Sequence, residues 1–287
     1  MSNIIAKKNL LTKYNNNIVI AKRNNINKPI EYKTYDIPKL IHLCYSTKNI
    51  PEYIIPNWKK LNPEYEIILY DNDDCINFLS ENFGKLYVDV FNFINDGPIK
   101  ADFFRACVLY KLGGVYSDID VEPIIPIKDF LSINVNFLTC LTIKNYYINP
   151  HFIISMPNHI LLKMCIDDYL SYYKNKINYI YWNWSIVYFM TKNLDNIFGM
   201  NLSPNGIPIK RNEGLITDKY NNVYQFVSEI IPDGNLYNVY CTYQNKKILN
   251  NRYDGYDAKN HNFKDYKKNE SSKKIFCLSN IKYKKFL

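Results

Sequence analysis

One stretch constrains this chain more than any other: a helix-forming run that meets two consecutive glycines and then an alternating strand. Pro98 opens the run, because a proline in the first helical turn gives up an N–H that would find no partner there. Ala101, Phe104, Val108 and Leu112 fall at i, i+3, i+7 and i+11, which draws an apolar stripe of helical period. Gly113-Gly114 stops the helix, since glycine accepts the left-handed conformation at its C-terminal end. Val115 to Val121 then alternates as a strand, ended by Pro123.

The same alternation holds upstream. Pro38 to Tyr45 is a short apolar run that suits a buried strand, Ile54 to Leu61 gives one or two helical turns, and Tyr65 to Tyr70 reads as a second strand. The polar run Asp71-Asn72-Asp73-Asp74, with Asp74 or a neighbour as cap, starts a helix through Phe83. Strand, helix and strand keep alternating through residue 131, which argues an α/β fold. Farther on, strands are expected near Asn136–Thr142 and Phe152–Ser155, and helices over Asn158–Tyr173 and Ser185–Leu194. From Asn201 to Asn251 the chain reads as loop-rich with short strands.

Composition narrows the class. Of 287 residues, 47% are hydrophobic, which suits a packed core and excludes a disordered chain. Nine glycines exclude collagen-like and flexible Gly-rich classes. The net charge of +9 favours anionic partners in general, although over-used Asn, Ile, Lys and Tyr point to an AT-rich genome as part of its origin. Seven cysteines lie scattered with no CxxC pair, so the sequence supports no zinc site and suits reduced, mostly buried thiols. No signal-like or membrane-spanning run is present, so the chain is expected to be soluble and cytoplasmic. No linker divides it. The expected organisation is an extension over residues 1–36 with one strand at Asn17–Ala21, a domain over 37–265, and a basic tail over 266–287.

Asp118-Ile119-Asp120 lies where the predicted strand ends, so alternation points both carboxylates the same way. Two like charges that close need a cation or solvent between them. A hard divalent ion binds such oxygens and completes its shell with water and phosphate. The end of a strand is also where open α/β sheets place ligands. A solvated turn is the other reading. Asp102 and Arg105, at i and i+3 on one helix face, read either as part of a site or as a surface ion pair. His42 sits in an apolar strand and reads as a hydrogen-bonded core histidine.

Taken together, Lys100-Ala101-Asp102-Phe103-Phe104-Arg105 and Leu109 through Asp120 resemble the signature of the DXD-containing sugar transferases. These are glycosyltransferase family 32 and the related glucosylating clostridial toxins. Ile37 to His42 is similar to the family's first strand, Asn62 to Asp71 to its second, and Asn149 to His159 to its acceptor-side strand and loop. The strong likeness covers about residues 37–131, the donor-binding half; in the acceptor-side half, 132–265, a weaker one runs to about residue 200 and the rest is faint. The resemblance implies a GT-A fold with a mixed central sheet. It also implies a retaining transfer of a hexose or N-acetylhexosamine from a nucleoside-diphosphate sugar, UDP first and GDP second.

The resemblance also assigns roles. Asp118 and Asp120 match the motif that holds Mn²⁺ (or Mg²⁺) against the donor diphosphate, and Asp102 and Arg105 match the helix pair that contacts donor sugar and phosphate. Tyr116 matches the aromatic before the motif. Tyr45 stands where relatives carry Trp for stacking on the base, and it keeps a π face with less area. Ala258-Lys259-Asn260-His261 is the remnant of a segment whose histidine completes the metal shell, making His261 the third-ligand candidate. Trp58, Trp182 and Trp184 read as core first and sugar platforms second; Trp182-Asn183-Trp184-Ser185 stands where relatives carry Thr-Gly-Pro, which leaves the acceptor (glycan, protein or lipid) open.

Two rival functions stay in play. A two-metal phosphoryl-transfer enzyme or nuclease predicts further carboxylate or His ligands and salt-sensitive nucleic-acid binding, and no such cluster or nucleic-acid partner is read from the sequence. A binding module of the same fold would hold sugar or nucleotide without turnover. The tail Lys267–Leu287, with Ile275, Phe276, Ile281 and Phe286 among lysines, reads either as a basic amphipathic helix for a membrane surface or as a docked terminus.

Overall fold

The computed structural model describes residues 37–143, 146–199, 210–232 and 239–251. Three short parallel strands begin the fold. β1 (Leu40–Cys44) lies between β2 (Glu66–Tyr70) and β3 (Gly114–Ser117). The register pairs Cys44 with Tyr70 on one side and Leu43 with Ser117 on the other, so all three strands finish at one edge. Such strands need covered faces, and helices supply part of the cover.

α1 (Ile54–Leu61) follows β1, and α2 (Asn72–Phe83) follows β2. Asp71 rather than Asp74 is the N-cap of α2: its side chain accepts the Asp74 N–H, and Asp74 returns a bond to the Asp71 N–H. This reciprocal pair satisfies two donors that a helix start otherwise leaves open. α3 (Lys85–Phe93) was not expected from the sequence; Gly84, at φ +85°, turns the chain into it directly from α2.

α4 (Gly97–Leu112) carries Pro98 in its first turn, as the sequence predicts. The expected single apolar stripe is too narrow a description. Ile99, Phe103, Phe104, Ala106, Cys107, Val108 and Leu109 are all fully buried, so the helix is enclosed rather than laid on a surface. Burying side chains such as Phe103 and Phe104 contributes roughly 1.5–3 kcal/mol each. Gly113 (φ +65°) and Gly114 (φ +93°) then reverse the chain into β3. A Cβ on Gly114 would sit 2.7 Å from the Leu40 carbonyl oxygen, and one on Gly113 2.6 Å from Pro157 Cδ. Only glycine fits both the backbone angle and the space.

β3 ends at Ser117, earlier than the alternation to Val121 suggests. Residues 118–121 form a turn closed by the Val121 N–H on the Asp118 carbonyl, 3.2 Å. Pro123 does not end that strand. It lies in β4 (Glu122–Pro123), an edge strand in which a missing N–H costs nothing.

The remaining strands complete a mixed sheet: β5 (Phe137–Leu141), β6 (Ile148–Ser155), β7 (Gly214–Thr217), β8 (Val223–Ile230), β9 (Tyr240–Tyr243) and β10 (Lys246–Asn250). The order is β2-β1-β3-β6-β5-β8-β9-β10-β4, with β7 also on β8. β6 runs antiparallel to β3, while β5 and β8 are parallel to each other. The α/β class with a mixed sheet is thus as expected. The region 201–251, read as loop-rich, holds the eight-residue β8 in the interior of the sheet.

α5 (Ile160–Lys174) and α6 (Ile186–Phe198) pack with α4 in a core that includes Phe103, Tyr169, Trp184 and Phe189. A second core, with Trp58, Phe152, Cys140 and Cys241, forms a separate cluster. No helix among the described residues is long and apolar enough to cross a membrane.

Candidate donor site at the strand edge

The parallel strands end together, and their next residues cluster at that edge: Tyr45 after β1, Asp71 after β2 and Asp118 after β3. The Tyr45 N–H donates to the Tyr70 carbonyl at 3.0 Å, continuing the ladder past the strand ends. Tyr45 is half-buried, and burial raises its hydroxyl pKa. Its ring is therefore partly open at the edge where α/β sheets take ligands.

Arg105 organises the edge from below. Its Nη2 lies 3.1 Å from Asp118 Oδ1 and 3.1 Å from Asp102 Oδ1. Nη1 donates to the Pro150 carbonyl at 2.6 Å, and the guanidinium lies 4.5 Å from the centre of the Tyr116 ring. The side chain is only 5% exposed, so a charge is held in the interior by two carboxylates, a carbonyl and a π face. Tyr116 is itself fully buried and serves as the floor under Arg105, with its hydroxyl lacking a partner among the described residues.

Asp102 has a second attachment. Its Oδ2 accepts the Ile186 N–H at 3.1 Å, at the first turn of α6, where the Ser185 hydroxyl also accepts the Val187 N–H. One carboxylate thus joins Arg105 to the start of α6. Burial drives its pKa up to about 6, against the pull of Arg105 and the Ile186 N–H. Ser185 closes the Trp182-Asn183-Trp184-Ser185 segment, so Asp102 ties α4 to the chain directly after it.

Asp118 is about one-third exposed at its side chain, and Asp120 is half-buried on the same turn. Because a turn replaces the predicted strand, strand alternation does not set the directions of these two side chains; both stand on the turn closed by Val121. Arg105 takes Asp118 Oδ1. An oxygen-only pair, half open to solvent, suits a hard divalent cation. His261 lies outside the described residues.

His42 is a core histidine, as its apolar strand suggests. Its Nε2 lies 3.0 Å from the Gly113 carbonyl and its Nδ1 3.2 Å from the Tyr70 hydroxyl, and burial lowers its pKa to about 4. Trp58 and Trp184 are fully buried, which removes both as sugar platforms, while Trp182 is half-buried. Sequence reading missed the β6 contribution: Pro150 on Arg105, and the His151 carbonyl accepting the Asp118 N–H at 2.8 Å. Backbone acceptors carry no residue-type signal, so nothing in the sequence marks them. Among the described residues, no third carboxylate or imidazole gathers with Asp118 and Asp120, the grouping that the two-metal reading requires.

Residues 51–137 match the family model described as a glycosyltransferase sugar-binding region containing a DXD motif. An uncharacterized glycosyltransferase, L373, of Acanthamoeba polyphaga mimivirus is 32% identical over 130 residues, 43% of this chain and 51% of that protein. Mannosyl phosphorylinositol ceramide synthase SUR1 of Saccharomyces cerevisiae is 32% identical over 108 residues, 33% of this chain and 27% of the relative. The chain thus spans about half the length of the first relative and about a quarter of the second. The solved structure of PaToxG glycosyltransferase aligns at 19% identity and a TM-score of 0.44, over 56% of this chain and 69% of that one. Residues 51–137, which include Asp102, Arg105, Asp118 and Asp120, are therefore the part of this chain that is similar to a DXD-containing glycosyltransferase sugar-binding region.

Proposed function

We propose that this chain is a metal-dependent, retaining glycosyltransferase that moves a hexosyl group from a nucleoside-diphosphate sugar to a glycan, protein or lipid acceptor. The observation that carries it is the Asp118–Asp120 turn, held at the shared edge of three parallel strands by a buried arginine. The yeast relative is named for mannosyl transfer to a phosphorylinositol ceramide, which makes mannose the first sugar to test and an inositol-phosphate lipid the first acceptor.

Glycosyl transfer breaks the bond between an anomeric carbon and a diphosphate, so negative charge grows on the leaving group and positive charge on the ring. Asp118 and Asp120 would hold a divalent cation, whose chemistry here is to neutralise the departing diphosphate. Tyr45 offers a ring face for the base at the end of β1. Arg105 keeps Asp118 in place and adds fixed positive charge behind it, needing no reorganisation during reaction. Asp102, buried and anchored on α6, fixes the distance between the donor edge and the acceptor-side half; in its ionised form it also favours the oxocarbenium-like ring.

The test is nucleotide release from a panel of UDP- and GDP-sugars with Mn²⁺ or Mg²⁺, beside Asp120→Asn. Metal-dependent release of one nucleotide, lost in the variant, supports the reading, and an α or β product seen by NMR reports retention. Tight donor binding with no turnover, with or without an inositol-phosphate lipid, would replace the transferase by a binding module. Release unaffected by Asp120→Asn would remove the DXD assignment.

A further inference from the structure

Three soft-metal donors meet on the sheet, one of them on the residue whose carbonyl accepts the Asp118 N–H. Cys140 of β5, His151 of β6 and Cys241 of β9 are all buried, and their ligand atoms lie within 4.8 Å of one another. Cys140 Sγ and Cys241 Sγ are 3.1 Å apart, and Cys241 Sγ is 3.5 Å from His151 Nε2. The sequence gives no hint of this, because 101 residues separate the two cysteines. Sheet order makes the meeting: β6, β5, β8 and β9 are successive neighbours, so the three donors span four strands.

We infer that Cys140 Sγ, Cys241 Sγ and His151 Nε2 form a structural site for a thiophilic divalent cation, zinc above all. Tetrahedral zinc with Zn–S near 2.3 Å and Zn–N near 2.0–2.1 Å places its sulfurs about 3.7 Å apart and sulfur and nitrogen about 3.6 Å apart. The Cys241–His151 spacing already fits, and the sulfurs need to open by roughly half an ångström. Two thiolates, a neutral imidazole and a divalent cation sum to zero; the neighbouring buried Glu229 carboxyl, whose pKa burial raises, is held by donors from Asn149 and Asn251. A disulfide would use the two sulfurs but give the imidazole no role. Asn251 Oδ1, 3.3 Å from Cys241 Sγ, offers an oxygen for a fourth position.

The site would brace the candidate donor edge. The His151 carbonyl accepts the Asp118 N–H, and the adjacent Pro150 carbonyl accepts from Arg105. One short piece of β6 therefore holds the DXD turn with its backbone and the cation with its side chain. The inference stands apart from the proposed transfer, because its readout is metal content rather than turnover.

The full chain, purified from zinc-supplemented cells with a histidine-free affinity tag and no chelator, should carry about one zinc per chain by mass spectrometry. Cys140→Ser and Cys241→Ser should each lower that below about one-tenth, whereas Cys44→Ser should leave it unchanged. Because the serine variants risk misfolding, cobalt added to metal-free wild-type chain gives an independent reading. Thiolate-to-cobalt charge transfer with tetrahedral ligand-field bands is expected. Absence of zinc and of that spectrum would overturn the site, as would full zinc content in both serine variants. Peptide mapping that finds Cys140 and Cys241 joined as a disulfide in the purified chain would overturn it as well.

Discussion

Arg105 and Asp118 meet at 3.1 Å although the arginine is almost fully buried and the aspartate is about one-third exposed. The interior cation thus reaches the surface motif through Nη2, the same nitrogen that meets Asp102 at 3.1 Å.

That contact gives a two-level prediction. Arg105→Ala leaves Asp102 and Asp118 without their shared cation and should cost about 3–5 kcal/mol of stability. Arg105→Lys keeps the charge but loses the fork that touches Asp102, Asp118 and Pro150 at once. It should fold with a lowered Tm, and its donor turnover should fall by about 10- to 150-fold, the equivalent of one charge-assisted hydrogen bond. Chemical denaturation beside nucleotide release measures both; a Lys variant with wild-type turnover would remove Arg105 from the site.

The glycine pair predicts a purely structural defect. Gly114→Ala forces a side chain to adopt φ +93° and places its Cβ 2.7 Å from the Leu40 carbonyl oxygen. Strain and displacement together should cost about 2–4 kcal/mol in urea unfolding. A cost under about 1 kcal/mol would mean that the β1–β3 approach is looser than described.

His42 predicts a pH signature. Burial lowers its pKa from 6.5 to about 4, so it is neutral in the fold and protonates first in the unfolded chain. Its stabilising contribution is therefore complete above pH 6.5 and is lost as pH falls from 6.5 toward 4. Glutamine can still donate to Gly113 but does not titrate. Relative to His42→Gln, the wild type should lose about 1.4 kcal/mol more per pH unit across that window. Parallel stability curves would show that His42 is not buried neutral.

Much of this molecule was legible beforehand, for identifiable reasons. Local signals placed α1, α4, α5 and the first three strands: Pro98 at a helix start, two glycines at its end, and short apolar runs bounded by polar turns. Ser185 starts α6 where the sequence put it. The strand carrying the DXD motif was read four residues too long, because Asp118 to Val121 keeps an apolar alternation while the chain is already turning. α3 escaped because Gly84 joins it to α2 with no polar loop between. The Pro150 and His151 contacts, and the Cys140–His151–Cys241 cluster, were invisible for a different reason. Sheet order alone brings them together, across 101 residues for the two cysteines. The expectations for residues 1–36, for His261 and for the basic tail fall outside the described residues.

The most direct measurement is calorimetric binding of UDP and GDP to the full chain, with and without Mn²⁺, for wild type and Asp118→Asn. Because Asp118 and Asp120 stand on one turn at the strand edge, one nucleotide should bind wild type only when the metal is present. The variant should lose that metal-dependent increment, with its Tm recorded beside it because Asp118 also pairs with the buried Arg105. Equal binding by both proteins, or binding indifferent to Mn²⁺, would contradict a diphosphate-and-metal site at this turn.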